Sequence, residues 1–247
     1  MKRPRIILSL FALPLALGLA ACDKGAETGA VSGEPLAKVA PPAGKSWGDV
    51  VERTADGGHR MGNPQAPITL IEFGSMTCSH CADFAEKSGA ELRDNFVNSG
   101  RVKFEFRNFV VDPIDITSAL LARCGAPESF FALTDQIFAN QAKTFETWNA
   151  AGQAAQEAAM NQPEEKRFIA IGEITGLTEF VSARGVAKDQ ANACLANLDE
   201  AKGLAQRAKE DGDKFEIEGT PTFIVNGTKF QGSWPELKTQ LETLGAR

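Results

Sequence analysis

A chain of 247 residues with 43% hydrophobic and 23% charged residues is long enough for one domain with a well-buried core. Its formal charge of −6 makes nucleic acid an unsuitable partner. Five cysteines and two histidines are few enough that each can be assigned a reason.

Lys2, Arg3 and Arg5 precede an apolar stretch from Ile6 to Ala21. The stretch is too short and too interrupted by proline and glycine for a comfortable membrane span, and has the shape of a secretory signal. Residues 1–21 are expected to be removed. Leu19-Ala20-Ala21-Cys22 resembles the bacterial lipobox, in which the cysteine is lipid-modified and becomes the first mature residue. Cys22 is then a membrane anchor, with an ordinary signal peptide cut near Ala21 as the alternative; Asp23 in the next position tilts the expectation toward the inner membrane. Residues 23–47 are dominated by Ala, Gly, Pro, Ser, Lys and Glu without apolar periodicity. They predict a flexible tether. A lipidated N-terminus and tether over 22–48 would reach roughly 25–30 Å.

The domain proper begins near residue 49. Ile68 to Phe73 is a nearly continuous apolar run, as in a strand buried on both faces, with Glu72 as its one charged residue. Cys78-Ser79-His80-Cys81 follows, and Cys81, Phe84, Ala85, Leu92 and Phe96 recur at helical spacing. Val102 to Arg107 alternates strictly and predicts a strand with one buried face. From about 115 to 212 the chain is alanine-rich, with apolar residues at helical spacing and punctuation at Gly125, Pro127, Pro163, Gly176 and Gly185. Several helices are expected there. Thr222 to Val225 is a strand, Asn226-Gly227 a hairpin turn, Lys229-Phe230 its return, and Pro235 to Leu244 a closing helix. His59 is read as a surface residue of the first strand.

A strand that feeds a CxxC into a helix reads as a redox site. Two cysteines three apart in the first helical turn share a face and can close a small disulfide. Cys78 sits where unpaired N–H groups carry partial positive charge, which stabilises a thiolate and makes it the nucleophile. Of the remaining cysteines, Cys124 and Cys194 form the pair expected to bond in an oxidising compartment, against the alternative of two buried free thiols. No metal and no cofactor are expected, because a CxxC followed by two isolated cysteines lacks a second metal knuckle. A lone carboxylate inside an apolar strand is costly unless partnered or neutral, so Glu72 is a candidate for function, against a strand-edge position reaching solvent.

The order of elements, the CxxC at the head of the first helix and Gly219-Thr220-Pro221-Thr222-Phe223 before the hairpin resemble the DsbA-like branch of the thioredoxin superfamily, from about Val51 to the C-terminus. The resemblance implies an α/β thioredoxin fold, a central mixed sheet flanked by helices, over 49–114 and 213–247, with an all-helical insertion at 115–212. It implies that Cys78 attacks, Cys81 resolves, and His80 tunes the nucleophile. Pro221 would be the cis-proline facing the sulfurs, leaving the backbone of Thr220 free to pair with an extended substrate. Glu72 would be the buried acid that exchanges a proton with the resolving cysteine. The lysine that partners this acid in some relatives has no counterpart that can be placed; Lys103 is near in sequence only. The oxidase prototype of the family carries an apolar residue before that proline, whereas threonine is common in the disulfide isomerases and in several DsbA-like relatives, which leaves the direction of electron flow open.

These implications describe a periplasmic thiol-disulfide oxidoreductase that introduces disulfides into exported proteins, held to a membrane by Cys22. It would be reoxidised by a membrane partner, a quinone-linked oxidase rather than a reductase. An isomerase or a membrane-anchored thiol reductase of the same fold are the alternatives. A non-enzymatic module holding Cu(I) or zinc with Cys78, Cys81 and His80 is a reading from another class.

Overall fold

The structure is a computed structural model that describes residues 33–247. The expected signal sequence, the lipobox and Cys22 lie outside the described residues. Six strands form one mixed sheet in the order β1-β2-β4-β3-β5-β6. They are β1 (Val51–Arg53), β2 (His59–Met61), β3 (Ile68–Gly74), β4 (Val102–Asn108), β5 (Thr222–Val225) and β6 (Thr228–Phe230). Only β3 and β4 run parallel, with Glu72 opposite Phe106; every other neighbouring pair is antiparallel. The parallel pair needs a crossover, which is α1 (Ser79–Glu91) continued by a π-helical turn at Leu92–Val97. The hairpin turn has positive φ at both Asn226 (49°) and Gly227 (85°), the combination the twist of a two-residue hairpin favours.

Between β4 and β5 the chain is helical: α2 (Pro113–Ala122), α3 (Phe130–Ala139), α4 (Gln141–Met160), α5 (Glu164–Ile174), α6 (Leu177–Ser182), α7 (Lys188–Leu195) and α8 (Leu198–Phe215). The thioredoxin fold with a helical insertion is thus observed, and α9 (Trp234–Thr243) closes it. Asp112 caps α2 by accepting the N–H groups of Ile114 and Asp115 at 2.8 and 2.9 Å, with Pro113 in the first turn. Nearly every residue of α2 is buried, so it forms the axis around which the insertion packs. Cys124, just beyond α2, is disulfide-bonded to Cys194 on α7. The bridge ties the axis of the insertion to its rim.

Two expectations from the sequence are corrected. Strand β4 does not have one wet face, because Glu105 and Arg107 are buried as well. Arg107 donates to Glu105 at 2.7 Å and reaches Asp56 at 2.6 Å and Asp211 of α8 at 3.4 Å, so α8 and the β1–β2 loop cover that face. The flexible tether does not extend to residue 47. Gly33 N donates to Thr243 O and Leu36 N to Gly245 O, both at 2.9 Å, and Arg101 donates to Leu36 O at 2.6 Å. Trp47 is buried, and its indole N–H donates to Val39 O at 2.7 Å. Two apolar anchors, Leu36 and Trp47, seat a segment whose average composition is that of a linker. No helix among the described residues is long and apolar enough to cross a membrane.

Candidate active site

The site forms where β3 ends and α1 begins. Cys78 is the N-cap of α1, and its Sγ accepts the backbone N–H of Cys81 at 3.3 Å. Both sulfurs are free; Cys78 is partly exposed and Cys81 is fully buried. Interaction with Cys81, then the Thr220 side chain and the backbone N–H groups of Cys81 and His80, pull the Cys78 thiol down to about 5 against the cost of burial. Cys81 moves the other way: the hydrogen bond with Cys78 and burial hold it protonated. One sulfur is poised as a thiolate and the other as a thiol.

His80 is exposed, and its backbone N–H acts on the Cys78 sulfur. The Thr220–Pro221 peptide is cis, and as a thiol Cys78 donates to the Thr220 carbonyl at 3.1 Å. A bend at the head of β5 therefore lies directly against the attacking sulfur. Glu72 is buried beneath the cysteines on β3, and burial, followed by the charges of Asp135 and Cys78, raises its carboxyl well above the usual range. Burial thus favours its neutral form, beside a Cys81 thiol that is itself held protonated.

Three side chains of the insertion hold the turn before Cys78, and the sequence reading missed them. Asp115, fully buried on α2, accepts the N–H of Met76 at 2.7 Å and that of Val111 at 3.0 Å. Thr77 Oγ1 donates to Asp112 at 2.8 Å. Gln141, at the start of α4, donates to the carbonyls of Met76 at 2.9 Å and Cys78 at 3.1 Å. Asp112-Pro113 is a legible helix start, but nothing local shows that its carboxylate reaches back to Thr77.

His59 is the other correction. It is 3% exposed, stacked on Phe130 at 3.8 Å with an interplanar angle of 6°, and 3.4 Å from Arg123. Burial and the neighbouring Arg123 and Arg53 depress its imidazole to about 3. It lies in a buried polar network in which Arg123 also bonds Glu200 at 2.8 Å and Gly57 O at 2.8 Å. Cys124–Cys194 and His59 are parts of the scaffold.

A family model described as thioredoxin matches residues 54–243, which takes in the CxxC, the cis-proline and the whole insertion. The chain belongs to the thioredoxin family. Among thioredoxin-fold structures, the protein-disulfide isomerase of Novosphingobium aromaticivorans is 35% identical with a TM-score of 0.70, covering 76% of this chain and 99% of that one. The alpha-DsbA1 of Wolbachia pipientis shares the fold at 20% identity and TM-score 0.61, covering 75% of this chain and 89% of that one. Disulfide bond formation protein D of Bacillus subtilis is 25% identical over 222 residues, 86% of this chain and 80% of its own length. A Rickettsia conorii relative is 26% identical over 170 residues, 68% of this chain; the chain spans 53% of that protein's length, about half. The thioredoxin-family sheet and insertion together are the DsbA-like form of the fold.

Proposed function

We propose that this protein is a thiol-disulfide oxidoreductase that donates disulfides to exported proteins. The observation that carries the reading is the Cys78 sulfur at the N-terminus of α1, pulled down to about 5 and lying 3.1 Å from the carbonyl before the cis-proline. A low-pKa sulfur is a good leaving group, so mixed disulfides at Cys78 are readily resolved, and its stable thiolate favours the reduced form of the pair. A substrate thiolate attacks Cys78, the bond to Cys81 breaks, and the electron pair passes to Cys81, which takes a proton. A second substrate thiolate then attacks the substrate sulfur of the mixed disulfide, and Cys78 leaves as a thiolate. The substrate is oxidised and the enzyme is reduced. An extended substrate would pair with the backbone of Thr220.

The sequence supports an export reading: basic residues at 2, 3 and 5, an apolar stretch to Ala21, and a lipobox ending at Cys22. In this reading the domain works in the periplasm on a lipid anchor, at the inner membrane, and a membrane redox partner reoxidises it. The segment from Gly33 onward is seated on the domain and is no part of a tether. Isomerisation is the second reading, favoured by Thr220 before the cis-proline and by the name of the Novosphingobium relative.

Equilibration of the domain with glutathione buffers tests the direction of electron flow. A Cys78/Cys81 potential of about −120 to −180 mV is expected for a donor or isomerase, and recovery of scrambled ribonuclease separates those two. A value near −270 mV would overturn the proposal in favour of a reductase.

A further inference from the structure

The thiol-disulfide reading leaves one proton without a path. When Cys81 departs from the Cys78–Cys81 disulfide as a thiolate it takes a proton from Glu72, and Glu72 must regain one before the next cycle. On the reverse half-cycle, Cys81 gives its proton to Glu72, which must first have lost its own. Glu72 is 3% exposed, and the layer above it is the redox pair itself.

The structure opens in another direction. Glu72 lines a cavity of about 30 Å³ together with Thr134 and Asp135 of α3 and Arg93 of the π-helical turn, walled by Phe84 and Phe138. That volume has room for a water molecule. The Thr134 hydroxyl is buried and has no hydrogen-bond partner among the described residues. Asp135 is half-exposed, lies 3.6 Å from Arg93, and is near enough to Glu72 for its charge to act there. Ala85, Arg93, Asp135 and Phe138 also line a crevice of about 460 Å³ between α1 and the insertion, which reaches Ser79 and Gln141 at the rim of the redox site. Asp135 therefore borders both the small cavity and the crevice.

We propose that Thr134 and Asp135, with the cavity joining them to Glu72, form the route by which the buried carboxyl exchanges its proton with solvent. This rests on the thiol-disulfide reading for its purpose, but the route itself is a property of the fold. In the oxidising direction, Glu72 passes its proton to Cys81, then takes one from a water in the cavity held by the Thr134 hydroxyl. Asp135 passes a proton in from the crevice. In reoxidation the same steps run backward. Thr134 and Asp135 touch neither sulfur nor substrate, so they are positioning and relay residues. The insertion thereby supplies a proton path as well as a clamp on the redox turn.

The test reads the proton directly. The protonated carboxyl of Glu72 should give an infrared carbonyl band that Glu72→Gln removes, and rapid mixing with D2O should shift that band as the proton exchanges. Thr134→Val and Asp135→Asn are each expected to slow the exchange by about tenfold at the least, below the hundredfold scale of losing a positioned acid. Asp94→Asn, which removes the other carboxylate 3.6 Å from Arg93 but does not line the cavity, should leave it unchanged. Unaltered exchange in both cavity variants, equal slowing in Asp94→Asn, or no band sensitive to Glu72→Gln would overturn the route. None of these outcomes depends on the reduction potential, so a reductase potential with slowed exchange would sink the oxidase reading and leave the route standing.

Discussion

Oδ1 of Asp115 accepts the backbone N–H of Met76 at 2.7 Å, so a helix of the insertion holds the turn that delivers Cys78 to the head of α1. Gln141 takes the carbonyl of the same residue, and Thr77 is tied to Asp112. The attacking sulfur is thus placed by the insertion as much as by the strand it follows.

Asp115→Ala should leave the Met76 N–H buried without its acceptor, costing about 1–3 kcal/mol. It should also loosen the N-cap geometry that favours the thiolate, so the Cys78 titration moves upward; ultraviolet thiolate absorbance and urea unfolding read the two effects. Asp115→Asn keeps an acceptor oxygen and should lose less of both. Burial raises the Asp115 carboxyl to about 7. Its folded value lies above the unfolded one, so the fold binds the extra proton between about pH 4 and 7. The contribution of Asp115 to stability is therefore full below that window and is lost as pH rises through it. Asp115→Asn should flatten that part of the stability–pH curve.

The titration of Cys78 sets how the reduction potential depends on pH. Below about pH 5, reduction takes up two protons for two electrons; above it Cys78 stays a thiolate and only Cys81 is protonated. The potential should fall by about 60 mV per pH unit below the break and about 30 mV above it. The reduced protein gains stability relative to the oxidised one as pH rises from about 5 toward the ordinary thiol value, because the depressed thiol favours the fold only when ionised. A single slope through pH 5 would mean that the helix terminus and Thr220 do not hold the thiolate. His80→Ala should move the break little, since the backbone N–H of His80 survives the substitution.

What could be read from the sequence was local. The CxxC with its capping position, the Asn-Gly hairpin and the Thr-Pro at the head of β5 each sit within a few residues of the structure they specify. The misreadings all involve partners far along the chain. His59 looks like a surface residue until Phe130, more than seventy positions later, stacks on it. Glu105 and Arg107 alternate as a wet strand face would, but α8 returns over a hundred residues on to cover them. Asp112, Asp115 and Gln141 look like ordinary helix-end polar residues, and only the packing of α2 and α4 against the redox turn gives them their work.

The bridge between Cys124 and Cys194 closes a loop with a sequence separation of 70, and both its cysteines lie in the helical insertion. Replacing both cysteines by serine should cost about 4 kcal/mol of stability in the chain-entropy account. The Cys78 titration and the potential of the Cys78/Cys81 pair should not change. Chemical denaturation of the double variant, with the redox pair held reduced in both proteins, checks the first point. A shift of the potential in the double variant would show that the scaffold bridge is coupled to the site.

His59 makes the fold acid-sensitive. Its imidazole is depressed to about 3 by burial, Arg123 and Arg53, with Glu200 opposing. The unfolded chain protonates it near the ordinary value of about 6.5. Between those limits the unfolded state binds a proton that the folded state refuses, so stability falls as pH drops from about 6.5 toward 3. His59→Phe keeps a ring against Phe130 and removes the titration. Arg123 loses a contact of 3.4 Å but keeps Glu200, Asn108 and Gly57, so the loss at pH 7 should be within about 1 kcal/mol. Thermal midpoints at pH 7 and pH 4 should lie closer together in the variant than in the parent. Equal spacing would mean that the carboxylates of the network, not the histidine, govern acid unfolding.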